Sequence, residues 1–148
     1  LLSGIDVSYA DARTQIRWFR INWILDAGRT ASAMKSLDEL LDDPTADMLN
    51  LKAWVLATTT DTQFYRPAEA MELARRACEL TGYAGAASLD TLAICQAALG
   101  NFPEAIRLVQ LALPIAPADK LEECRIHLSL FQAAKPYRES PPSRAGVA

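Results

Sequence analysis

The stretch ALGNFPEAIRLVQLALPIAP, residues 98–117, carries Gly100, Ala105, Ala112 and Pro117 at spacings that a lone helix or a strand has no need for. Gly100 is a helix stop, and Asn101 is an N-cap with Glu104 three residues on as the capping-box acid. Ala105 and Ala112 then fall within a run of Ile, Leu and Val. Small residues at fixed places in an otherwise bulky stripe mark where two helices approach closely and a larger side chain would overpack. Two helices joined by a tight turn are the unit this stretch predicts.

Outward from it the same unit recurs. From Asp11 to Ala27 the residues Ile16, Phe19, Trp23, Ile24 and Ala27 keep the spacing of one helical face, and Trp18, Ile21 and Leu25 make the helix apolar on a second side. Gly28 ends it, and Thr30 caps a second helix carrying Ala33, Leu37, Leu40 and Leu41 before Pro44. A third helix follows Thr45 with Leu49, Ala53, Trp54, Leu56 and Ala57, and runs into the polar turn TTTDTQFYRP. A fourth begins at Pro67, a residue suited to a first turn, and buries Ala70, Leu73, Ala74, Ala77 and Leu80 before Gly82. The fifth, from about Ala86 to Leu99, buries Leu89, Leu92, Ala93 and Gln96 or its neighbours. The sixth starts after Asn101 and should end or kink early at Pro114, which removes a backbone donor. A seventh from Asp119 aligns Leu121, Cys124, Leu128 and Phe131 and has no partner helix after it.

Ala33, Ala70 and Ala105 lie 37 and 35 residues apart, each in the first turns of the second helix of a pair. This is an internal repeat of roughly 34 residues. Its best copy, Leu89, Leu92, Ala93, Gln96, Gly100, Phe102, Ala105, Val109, Ala112 and Pro117, resembles the tetratricopeptide repeat (TPR). The long turn and the KPYRE ending resemble the repeat tails at the C-termini of larger bacterial proteins. The resemblance implies an all-α fold, a right-handed array of helical hairpins (an α-solenoid) of three pairs and a C-terminal capping helix. The expected layout is an N-terminal stub or linker over 1–10, an array over 11–134 and a disordered tail over 135–148. Within the array the pairs cover about 11–44, 45–82 and 86–118, and the cap helix covers 119–134. Four features depart from the motif: Lys52 stands where a leucine belongs, Gln96 where an aromatic belongs, TTTDTQFYRP is about five residues too long, and Pro114 interrupts the sixth helix.

Composition narrows the function classes. With 148 residues and 51% apolar content the chain forms one domain or a short array, large enough to need no metal or disulfide staple. A net charge of -3 offers no basic field for nucleic acid or anionic lipid, and no apolar run reaches membrane-spanning length. The three cysteines, Cys78, Cys95 and Cys124, are odd in number and lack a C-x-x-C pair, so they read as reduced, semi-buried hydrophobes in a cytoplasmic setting. His127 is the sole histidine and reads as an amphipathic helix residue. Leu1 in place of an initiating Met is what a piece of a longer chain would show. No catalytic constellation, phosphate-binding glycine loop or metal-ligand spacing is present, and Asp42–Asp43 and Glu122–Glu123 read as solvated helix-end acids. No enzyme, cofactor or metal is expected.

In tetratricopeptide arrays the first helices of successive pairs line a concave groove for a peptide or a partner protein. Carried over residue by residue, the groove positions are Trp18 and Asn22, then Asn50 and Trp54, then Asp90 and Ile94. The lysines and arginine with which some members clamp an acidic C-terminal tail are missing from these positions. Trp18 and Trp54 have two readings, as binding anchors or as filler between helices. The third pair carries only Asp90, Glu104 and Arg107 as charges, against nine in residues 46–85, and so should be covered by the cap, a partner or a second copy. The expected role is a non-catalytic scaffold for protein or peptide partners, which can include another domain of the same parent chain, with self-association of a docking tail as the alternative.

Overall fold

The computed structural model describes residues 29–40 and 45–138. Among these residues the chain is all-helical, with six α-helices. They are α1 Thr30–Leu40, α2 Ala46–Thr58, α3 Pro67–Leu80, α4 Ala86–Ala98, α5 Phe102–Ala112 and α6 Leu121–Gln132. These correspond to the second through seventh expected helices. The first, over 11–27, lies outside the described residues with Trp18, Asn22 and the Asp42–Asp43 pair.

The helix ends follow from local chemistry. The Thr45 hydroxyl accepts from the Met48 amide at 3.3 Å and caps α2. Pro67 opens α3 without a side-chain cap, its missing N–H being one that the first turn leaves unpaired in any case. At the end of α3 the amide of Tyr83 donates to the Cys78 carbonyl at 2.8 Å and that of Gly82 to the Glu79 carbonyl at 3.1 Å. At the end of α4 Asn101 donates to Gln96 at 2.9 Å and Gly100 to Ala97 at 3.0 Å. Both are Schellman turns, and both need a residue at positive φ, which Gly82 (+61°) and Gly100 (+84°) supply. Pro114 acts as expected: α5 stops at Ala112 and the backbone tightens into a 3-10 turn over Leu113–Ile115.

Two helix starts need correction. Asn101 stands at the N-cap of α5 but forms no side-chain cap. Its side-chain Nδ2 donates instead to Gln96 Oε1 at 3.2 Å, and Glu104 turns away to Arg107, whose Nε lies 2.8 Å from Oε2. The seventh expected helix begins at Leu121 rather than Asp119, because a 3-10 turn over Ala118–Lys120 comes first.

Packing sorts the helices into two layers. The helix α2 packs on α3 and on α4, α4 packs on α5 and touches α6, and α6 lies against α5. Nine of the 13 residues of α2 and eight of the 13 of α4 are buried, against four of 14 in α3 and four of 11 in α5, so α2 and α4 are enclosed and α3 and α5 are outer. Ala33, Ala70 and Ala105 have no exposed surface at all, as close-approach positions require. The core around them holds Leu37, Leu51, Leu56, Leu92, Ile94, Leu108 and Phe131, and losing such a leucine to alanine costs about 2–5 kcal/mol.

Lys52, a departure from the expected motif, has a physical account. Its side chain is 13% exposed, and Nζ reaches Asp38 of α1 at 2.7 Å and Glu69 of α3 at 3.9 Å. The cation therefore ties three helices together where the motif uses apolar contact.

The segment after α6 also differs from expectation. Residues 135–138 head the stretch expected to be disordered, yet Tyr137 packs against the core and Arg138 bonds to a carbonyl of α2's C-terminal turn. Side chains anchored by distant elements outweigh the polar composition of the segment. Residues 139–148 lie outside the described residues.

Candidate binding surface

The expected groove residues fall on α2 and α4, and the two helices treat them differently. Ile94 is fully buried and belongs to the core, so it offers no surface to a ligand. Asn50 is 3% exposed, and its Oδ1 finds no hydrogen-bond partner among the described residues. A buried acceptor left without a donor costs about 1–3 kcal/mol. Trp54, one turn on, is partly buried and packs against the core, and its carbonyl accepts from the Thr58 hydroxyl at 2.7 Å. It is thus between the two roles foreseen for it, neither wholly filler nor fully presented.

Asp90 is not a free groove carboxylate. Its two oxygens sit 2.9 and 2.8 Å from Nδ1 of His127 on α6, a contact spanning 37 residues. Nδ1–H donates and the carboxylate accepts, which leaves Nε2, buried and without a partner among the described residues. His127 is itself completely buried, which corrects its reading as an ordinary amphipathic-helix residue. Its ring lies 6.2 Å from that of Phe131 and 4.4 Å from that of Tyr137, the latter tilted by 55°. Sequence reasoning missed this contact. The only signal was that the sole histidine shared a face with Cys124 and Phe131, positions already assigned to the inward stripe.

Beyond Asp90 and His127, the segment after α6 meets the turn between α2 and α3. The turn between α2 and α3 is held by its own side chains: the Asp61 amide donates to Thr59 Oγ1 and the Gln63 amide to Asp61 Oδ1, both at 3.1 Å. The Arg66 amide closes it onto the Leu56 carbonyl at 2.9 Å. This is the turn about five residues too long for the motif, and the extra length carries Tyr65. The Arg138 guanidinium lies 3.6 Å over the Tyr65 ring centroid, and its Nη2 donates to the Thr59 carbonyl at 2.6 Å.

The thiols lie apart from this chemistry. All three are free and buried. Burial pushes Cys78 up to about 11 and Cys124 up to about 12, and it raises Cys95 further, so each is a protonated hydrophobe near neutrality. Among the described residues no group of three or more His, Cys, Asp or Glu side chains could hold a metal ion, and no helix is long and apolar enough to cross a membrane. Comparison of the chain with models of known families, with curated proteins and with solved structures gives no match.

Proposed function

We propose that the chain is a tetratricopeptide-type array that works as a non-catalytic interaction module in a reducing, cytoplasmic setting, binding a peptide or partner protein on the face built by α2 and α4. The hairpin register on Ala33, Ala70 and Ala105 and the enclosure of α2 and α4 between outer helices support the scaffold half of this reading. One observation carries the binding half: Trp54 packs on the core yet stays partly exposed, so its indole keeps surface that a partner can cover. A ligand that covers the indole would gain an aromatic anchor on this face.

The test compares Trp54→Ala with wild type on an immobilised chain, reading recovered partners beside thermal melting by circular dichroism. A binding role predicts a loss of about 2 kcal/mol or more in affinity with helicity kept. A variant that melts early would place Trp54 in the core and remove the anchor.

A second reading, self-association, is favoured by Leu99 (44% exposed), Leu111 (49%) and Ile115 (48%), which cluster in sequence on the charge-poor third pair. Mass that rises with concentration and falls back in Leu111→Glu would favour it over the groove.

A further inference from the structure

The segment after α6 reaches back across elements far from it in sequence. The helix α6 closes with a Schellman turn in which the Lys135 amide donates to the Leu130 carbonyl at 2.9 Å and the Ala134 amide to the Phe131 carbonyl at 3.0 Å. Ala134, at φ +55°, turns the backbone out of the helix. Pro136 has no N–H to donate and cannot continue the helix. Tyr137 then meets the His127 ring, and Arg138, 79 residues from its acceptor, meets Thr59 and Tyr65.

The seat that receives these two side chains is specific for each. The aromatic place is the face of His127, held still by the Asp90 carboxylate. The cationic place is Tyr65, whose ring faces the guanidinium, together with the carbonyl of Thr59 at the C-terminal end of α2, where the helix dipole is negative. Both places are held by the helices that carry the groove positions, α2 through Thr59 and α4 through Asp90. We propose that residues Tyr137 and Arg138 are an intramolecular ligand, filling a recognition site for an aromatic–arginine dipeptide that a peptide of the same chemistry can occupy in their place.

Two features make the arm displaceable. Arg138 Nε is buried without a partner, so the guanidinium does not meet all its hydrogen-bonding needs in the seat. Ordering residues 135–138, which lie outside any helix, also sets conformational entropy against the contacts they make. Being tethered, the arm competes at an effective concentration on the order of millimolar, and this keeps the site closed to dilute ligands. The proposal rests on the preceding reading only in taking the α2–α4 face as a peptide-binding surface.

The experiment uses the full chain and a fluorescein-labelled peptide with the sequence of residues 132–142, QAAKPYRESPP. Fluorescence anisotropy is read with wild type and with the double variant Tyr137→Ala/Arg138→Ala, whose own arm cannot fill the seat. The expected result is peptide binding to the variant at least tenfold tighter than to wild type. Binding should be lost when the peptide's Tyr and Arg are both replaced by Ala, and when Tyr65→Ala is added to the variant. Equal binding to wild type and variant, binding that survives the Ala peptide, or no binding to either protein overturns the proposal. Arg138→Ala alone, which keeps Tyr137 on the core, gives the same comparison should the double variant melt early. A result against the arm leaves the Trp54→Ala comparison untouched, so the two readings fail separately.

Discussion

Three helices end in the same hydrogen-bonded turn, but only two place glycine at its left-handed residue. At the end of α6 that residue is Ala134, whose φ of +55° brings its Cβ against the following backbone. Replacing it by glycine relieves this contact and gives back part of the gain as chain entropy in the unfolded state. We expect Ala134→Gly to raise stability by about 0.5–1 kcal/mol, read as a higher urea midpoint with an unchanged slope. The same substitution in a residue at negative φ would lower the midpoint, so the sign tests the turn itself. Since this turn aims the arm, a lower midpoint would also undo the path by which Tyr137 reaches His127.

At the scale of helices, Ala33, Ala70 and Ala105, early in the expected second helices, are each fully buried. Ala105 has no exposed surface, while Gln110, five residues on in α5, is exposed. Ala105→Leu should therefore cost about 1–3 kcal/mol by overpacking, and Gln110→Ala should be close to neutral in the same denaturation experiment. Equal midpoints would mean that α5 meets its neighbours on another face. The elements themselves were legible in the sequence because their signals are local: Gly82, Gly100, Pro67 and Pro114 each act through their own backbone geometry. What escaped was non-local. Helical spacing put Asp90 at a groove position and His127 beside the inward stripe of its helix but does not say which helices meet there, and composition marked residues 135–138 as unable to fold alone without showing that α2 and α6 would hold them. The excess length of TTTDTQFYRP could be counted in the sequence, yet its use, carrying Tyr65 to the Arg138 guanidinium, depends on a residue 73 positions later.

For the molecule as a whole, the buried thiols couple stability to pH. Cys78, Cys95 and Cys124 form no disulfide, and desolvation is the main cause raising each of them above the ordinary thiol value of 9.0. A group raised by folding contributes stability that is fully present below its unfolded value and is lost as pH climbs through its folded value. The window is thus set by about 9.0 in the open chain and by about 11 for Cys78 and about 12 for Cys124 in the fold. The urea midpoint should be flat between pH 7 and pH 9 as far as the thiols are concerned and fall between roughly pH 9 and pH 12. Tyrosines and lysines also titrate there, so the measurement is a comparison with a Cys78→Ala/Cys95→Ala/Cys124→Ala variant. That variant starts from a lower midpoint because it leaves small cavities, but its alkaline fall should be shallower than that of wild type. Parallel falls in the two proteins would show that the thiols ionise as readily folded as unfolded, which their burial against the core of α3, α4 and α6 does not permit.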